Sequence, residues 1–332
     1  MRTHEQSTAE LPPPRTPRGE WRASHDPDAA SGAPGEDAAA GGAELDRASA
    51  TFAALRPRLF GIAYRMLGSV ADAEDVMQDA WIRWQGYDRA RVQDPAAFLA
   101  TTVTRLAINE LNSARVRREA YVGPWLPEPI DTGDNPELVA ERDESLEFAV
   151  LLLLERLPAT ERAAYVLREA FAYPYDRIAE IVQTSEANAR QLVSRARKHI
   201  AEGRHAPVGA DDQHRLLDAF LGAAQAGDLA SLETLFTDDI VSYSDGGGVV
   251  HAARIPLIGR ERVLKFVTAV SEWFWDGIEV RRLEANGQPA VLFSAHGDPF
   301  AVFAVDATVD GIDRLFWMMN PAKLGAALPI PS

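Results

Sequence analysis

The chain is predicted to be multi-domain, with two all-α units and then an α+β unit. Three observations lead there. Apolar residues recur every three or four positions in 46–121 and again in 148–207. Proline- and glycine-rich breaks separate these stretches from each other and from residues 208–332. Short apolar runs bounded by Asn-Gly, Gly-Asp and Asp-Gly turns then fill the end of the chain. At 332 residues the protein is about twice the usual domain size, so several cores are expected rather than one.

Composition narrows the function classes. With 46% hydrophobic and 25% charged residues the chain is not disordered throughout. The absence of cysteine excludes disulfide frameworks, thiol catalysis and thiolate zinc sites, and suits a reducing cytoplasm. The longest apolar run, Phe148 to Leu154, has seven residues, far below the roughly 20 that span a membrane. The N-terminus lacks a basic start leading into an apolar stretch, so the expectation is an unexported, cytoplasmic protein with no membrane partner. The seven histidines are scattered without the short helical spacing of a metal site, and no metal or cofactor is expected.

A net charge of −15 argues against nucleic-acid binding by the surface as a whole. The charge is uneven, however: residues 46–120 and 148–207 are each +2, whereas 1–45 carry −4, 121–147 carry −7 and 208–332 carry −8. The two helical units are the cationic ones.

Residues 1–45 hold few large apolar side chains and read as a disordered extension. In 46–121, Leu55, Leu59, Ile62, Met66 and Leu67 mark a helix that stops at Gly68. Ser69 starts the next one, its hydroxyl placed to cap free amides with Asp72 three residues on. On that helix Asp72, Asp75 and Asp79 share one face, and Val76, Met77, Ala80, Trp81 and Trp84 form the opposite stripe. A third helix opens near Pro95 and ends in Arg115, Arg117 and Arg118. On a lone helix those cations would merely complement its C-terminus. Val122 to Asn135 hold prolines at a density that forbids helix, and with the acidic residues that follow they make 122–147 an acidic, proline-rich linker.

The unit 148–207 carries a helix-turn-helix pattern. Pro174 ends one helix, Tyr175 to Val182 forms a short second, and Glu186 to Ile200 a third. Ala189, Leu192, Val193, Ala196 and Ile200 can pack inward. That leaves Ser185, Glu186, Asn188, Arg190, Gln191, Ser194, Arg195, Arg197 and Lys198 for DNA: short polar or guanidinium groups for base edges, cations for phosphates. Gln183 stands at the turn position that usually favours glycine. A helical hairpin with a solvated charged face is the ordinary alternative.

Taken together, the run Asp72-Ala73-Glu74-Asp75-Val76-Met77-Gln78-Asp79-Ala80-Trp81, the basic helix end and the later helix-turn-helix resemble the bacterial extracytoplasmic-function sigma factors. The resemblance implies a region-two unit that binds core RNA polymerase through Asp72, Asp75, Gln78 and Trp81. It implies contacts to the minus-ten promoter element through Arg105, Asn109, Arg115, Arg117 and Arg118, and a region-four unit that reads the minus-thirty-five element. Asn112 stands where many relatives carry arginine. More narrowly, Trp125-Leu126-Pro127-Glu128-Pro129, Asp245-Gly246-Gly247-Gly248 and Asn320-Pro321-Ala322-Lys323-Leu324 resemble the subgroup with a fused SnoaL-like domain. Val249 replaces the usual basic residue after the glycines. By that resemblance Trp125, Pro127, Asp245, Gly246, Gly247, Asn320, Pro321 and Lys323 are regulatory.

Residues 208–332 read as two helices, a run of strands and one further helix, an α+β cone of the SnoaL-like form. The expectation is that this domain folds back on the region-two unit and the linker, with an unidentified small ligand as a further partner. Carbanion chemistry would need a carboxylate base facing a donor in an apolar cavity. Tyr243, Asp245, His251, His296 and Asp298 are the candidate groups, but no two can be placed face to face from sequence, and Asp beside Gly is commonly a turn former. The expected role is therefore non-enzymatic. The competing readings are an isomerase-like catalyst carrying a DNA-binding module, and an operator-binding regulator that uses only the helix-turn-helix.

Overall fold

The computed structural model describes residues 36–133, 146–203 and 208–325. The described residues from Leu45 onward form one compact unit, and 36–44 fall outside it. Helix α1, Glu36–Leu67, begins ten residues ahead of the expected boundary at 46, because Ala38, Ala39, Ala40 and Ala43 are strong helix formers. The rest of the expected extension lies outside the described residues. Gly68 ends α1 at φ +64°.

Helix α2, Val70–Gly86, starts at Ser69, whose hydroxyl accepts the Asp72 N–H at 3.2 Å. Its apolar stripe, Val76, Met77, Ala80 and Trp84, is buried as its spacing requires. Helix α3, Pro95–Glu119, is capped by Asp94 and has proline in its first turn, where no amide is lost. Then come α4, Phe148–Leu154; α5, Ala159–Glu169; α6, Tyr175–Val182; and α7, Glu186–Gly203. Helices α1 to α7 share one hydrophobic core, which runs from Ala48 through Leu59, Met77 and Val103 to Leu167, Ile178, Val193 and Ile200. The two helical units expected from sequence are thus packed together.

The C-terminal domain holds helices α8, Ala210–Ala226; α9, Leu229–Leu235; and α10, Arg260–Phe274. Its strands are β1, Phe236–Asp245; β2, Leu257–Ile258; β3, Ile278–Ala285; β4, Gln288–Ala295; β5, Asp298–Thr308; and β6, Gly311–Met318. They form a six-stranded mixed sheet in the order β2-β1-β6-β5-β4-β3, with only β1 and β6 parallel among these pairs. This is the expected α+β architecture.

Alternation along the strands gives the sheet two apolar faces. Phe236, Ile240, Phe293, Phe303, Val305 and Trp317 point to the face covered by α8 and α10. Leu292, Val302, Ala304, Phe316 and Met318 point the other way, onto Leu126 of the linker and Phe148 and Ala149 of α4. The remaining residues of α4, Val150, Leu151, Leu153 and Leu154, enter the helical core instead. An all-apolar helix is buried on every side, and here it joins the two cores. Burial of Phe148 alone contributes about 1.5–3 kcal/mol. No helix among the described residues is long and apolar enough to cross a membrane.

Candidate functional site

On α2 the acidic face is solvent-facing. Asp75, Gln78 and Asp79 are exposed, whereas Trp81 is half-buried against Phe52, with ring centroids 5.2 Å apart. Asp72 is engaged, its carboxylate 3.0 Å from the Arg117 guanidinium, which also binds Glu110 at 2.9 Å. These partners raise the Arg117 pKa. The Arg115 side chain lies outside the described residues.

Between the α2–α3 loop and α6 lies a cleft of about 890 Å³. Arg83, Arg91, Arg105 and Arg177 give it positive charge, and Tyr87 and Phe98, 4.6 Å apart, give it an aromatic wall. Sequence reasoning missed Tyr87, Phe98, Arg83 and Arg91, because loop 87–94 only meets α3 through the fold. Arg105 crosses the cleft and donates to the carbonyls of Ile181 at 3.0 Å and Glu180 at 2.9 Å. Those carbonyls belong to the last turn of α6, where acceptors lack partners within the helix and a cation is favoured. Asn109 is exposed.

In the helix-turn-helix, Gln183 takes the left-handed conformation at φ 57°, ψ 54°, and the Thr184 amide closes the turn on the Ala179 carbonyl at 2.9 Å. Two residues expected at the groove serve the local structure. Ser185 accepts the Asn188 amide at 3.2 Å, and the Asn188 side chain turns back to Thr184 Oγ1 at 2.7 Å. Along α7, Arg190 pairs with Glu186, Arg195 with Glu161 at 3.1 Å, Arg197 with Glu169 at 2.7 Å and Lys198 with Glu202 at 3.7 Å. Gln191 and Ser194 are exposed.

The three motifs of linker and C-terminal domain meet at Asp245. Its carboxylate is fully buried and accepts from Tyr121 Oη, from the Leu126 amide at 2.9 Å, from the Gly247 amide at 3.1 Å and from Lys323 Nζ at 2.8 Å. Asp245 therefore does more than form a turn. Lys323 also donates to the Leu126 carbonyl at 2.6 Å and lies 4.1 Å from the ring centre of Trp125, whose other partner is Arg118 at 3.8 Å. Burial lowers the Lys323 pKa to about 8 despite the Asp245 charge, and burial, then the bond to Asp245, raises that of Tyr121. Asn320 donates to Tyr121 Oη at 2.8 Å, and a side chain on Gly247 would sit 2.5 Å from Asn320 Nδ2. Pro127 is buried, Gly246 is buried beneath the Val250 carbonyl, and Pro321 is exposed at the start of a 3-10 turn, Pro321–Lys323.

A second joint was not foreseen. Glu128 accepts from Ser69 Oγ at 2.9 Å and from the Val70 amide at 2.7 Å, an acidic cap on the first turn of α2. Asn286, held at φ 56° in the β3–β4 turn, donates to Tyr64 Oη at 2.6 Å and to the Leu146 carbonyl at 3.1 Å, and accepts the Ile130 amide at 2.9 Å. Burial, above all, raises the Tyr64 pKa.

The catalytic candidates are dispersed. Tyr243 stacks on Phe316 at the linker-facing side of the sheet, and His251, His296 and Asp298 are exposed. No cluster of three metal-ligating groups occurs among the described residues.

Comparison with known proteins places this geometry. Residues 51–117 match the Sigma-70 region 2 family and residues 147–200 the Sigma-70 region 4 family. The ECF RNA polymerase sigma factor SigJ of Mycobacterium tuberculosis H37Rv is 39% identical over 232 residues, covering 68% of this chain and 74% of that protein. The probable ECF sigma factor SigI of the same species is 30% identical over 288 residues, 84% of this chain and 95% of that one. The crystal structure of M. tuberculosis SigJ superposes with a TM-score of 0.69 at 32% identity, over 84% of this chain and 98% of that one. The chain belongs to the extracytoplasmic-function RNA polymerase sigma factors, which direct transcription initiation and are not enzymes.

Proposed function

We propose that this sigma factor is restrained by its own C-terminal domain, which holds the promoter-reading units in a packed arrangement until core polymerase and promoter DNA draw them apart. In the free state Asp75, Gln78 and Trp81 offer α2 to the polymerase, Asp72 joining once it leaves Arg117. The aromatic and cationic cleft at Tyr87 and Phe98 takes an unstacked base of the minus-ten element, the combination single-strand binders use. Gln191, Ser194 and the cations of α7 face the minus-thirty-five element.

The observation that carries this reading is the pair of hydrogen bonds from Arg105 to the Ile181 and Glu180 carbonyls. They join the minus-ten reader to the minus-thirty-five reader. Elements about 25 base pairs apart lie roughly 85 Å apart at about 3.4 Å per step, whereas a unit of this size is on the order of 25 Å across. Two units in contact cannot span that distance. The C-terminal sheet supports the packed form by covering both the linker at Leu126 and α4 at Phe148.

The test is promoter-specific transcription by core polymerase with the full chain, comparing the parent with Asn286→Ala and Lys323→Met. Point substitutions are preferable to truncation, which would uncover the apolar surface around Leu126 and Phe148. Higher output from both variants supports the restraint, and unchanged output from both defeats it.

A further inference from the structure

Three arginines and the start of a helix converge on a cavity of about 440 Å³ between α3 and the α4–α5 turn. Arg118 enters from α3, Arg156 and Arg162 from the other side, and Ala159 opens α5 at the wall. Glu155 accepts from both Arg118 and Arg162, at 2.7 Å from the latter, while Arg118 also donates to the Leu67 carbonyl and Arg162 to the Met66 carbonyl at 2.6 Å. The Arg162 side chain is 3% exposed, and its Nε has no hydrogen-bond partner. Arg156 is exposed and makes no ion pair among the described residues. Helix α5 follows Pro158 without a side-chain cap, so the amides of its first turn lack acceptors inside the helix. Burial lowers both the Arg118 and the Arg162 pKa to about 9, and the neighbouring Arg162 charge contributes to the Arg118 shift. Glu119 also lines the cavity, so three guanidinium cations face two carboxylates there.

We propose that this cavity binds a small phosphate-bearing dianion, a free phosphate or diphosphate group, between Arg118, Arg156 and the first amides of α5. Planar guanidinium forks and uncapped helix amides are the donors that fit phosphate oxygens. One wall belongs to the region-two unit and the other to the region-four unit, so the site is complete only while they are packed. A ligand that binds one arrangement better shifts the equilibrium toward it, and occupancy therefore favours the packed form. The binding step stands on this geometry alone; its effect on transcription rests on the restraint proposed above.

The experiment is calorimetric titration of pyrophosphate into the full chain at constant ionic strength set with chloride. One saturable site is expected, weakened roughly tenfold by Arg156→Ala, the worth of a charge-assisted hydrogen bond, and partly recovered by Arg156→Lys. GDP in a parallel titration separates the sources: tighter binding than pyrophosphate assigns the site to a nucleotide, equal binding to the inorganic ion. The chain has no cysteine, so dyes on Gln85→Cys and Glu202→Cys report the separation of the two units, which should shorten or hold as pyrophosphate is added. Absence of saturable heat, unchanged affinity in Arg156→Ala, or equal displacement by a short single-stranded DNA overturns the proposal. Binding without any change in promoter output leaves the site standing and removes the restraint.

Discussion

Lys323 Nζ and Asp245 Oδ2 meet at 2.8 Å in a buried ion pair that ties the end of the described chain to the last residue of β1. The same two groups grip the linker backbone at Leu126, one through its carbonyl and the other through its amide. A charge pair that also satisfies a backbone unit in both directions fixes where the linker lies, not only that it is held.

Lys323→Met keeps the stem and deletes the charge, leaving the Asp245 carboxylate buried without its cation. Breaking a buried pair from one side costs about 3–5 kcal/mol. The full chain should melt at lower temperature, and adding Asp245→Asn should recover part of the loss. A thermal double-mutant cycle checks this, and strictly additive losses would refute the coupling.

The same lysine sets a pH dependence. Its ordinary pKa of 10.5 falls to about 8 in the docked state, so docking releases a proton between those values and tightens as pH rises through that window. Tyr121, raised by burial and by its bond to Asp245, opposes this only above its ordinary value of 10.0, so the window below that belongs to Lys323. Limited proteolysis of the linker should slow from pH 7.5 to about 9.5, and Lys323→Met should flatten the change.

Asn286 serves three partners from a left-handed backbone position. Asn286→Gly keeps the turn but leaves Ile130 and Leu146 without side-chain partners, a loss of about 2–3 kcal/mol. Asn286→Ala adds roughly 1–2 kcal/mol of backbone strain. Urea denaturation of the two variants separates these contributions.

Asp75 is exposed and has no structural partner among the described residues. Asp75→Arg should abolish capture by core polymerase while leaving the melting temperature within about 1 °C, since surface changes are small. Tyr87→Ala should leave capture intact and reduce promoter opening by roughly tenfold, the worth of one stacked base. Permanganate footprinting of the melted strand reads the second effect.

Much of the helical architecture was legible because its signals are local. The cap at Ser69, the stop at Gly68, the proline at 95 and the left-handed turn at Gln183 depend on neighbours within a few residues. The strands were legible for the same reason, their turns marked by Asn286-Gly287 and Asp310-Gly311. Tyr64, Tyr121, Glu128 and Glu155 were not, since each gains its role from a partner dozens or hundreds of positions away. Ser185 and Asn188 show the converse: a polar helix start reads equally as a groove contact or a cap, and both side chains are used locally.

Periodicity and capping are short-range properties of the chain, and they were enough for the faces of the helices; the family entered through the resemblance of the quoted motifs and was shown by the relatives. That Asp245 is a buried acceptor, that Arg105 closes on α6 and that α4 joins two cores came from the packed molecule alone. Burial and pairing are set by what arrives from elsewhere in the fold, and a buried charge is tolerated only where such a partner completes it.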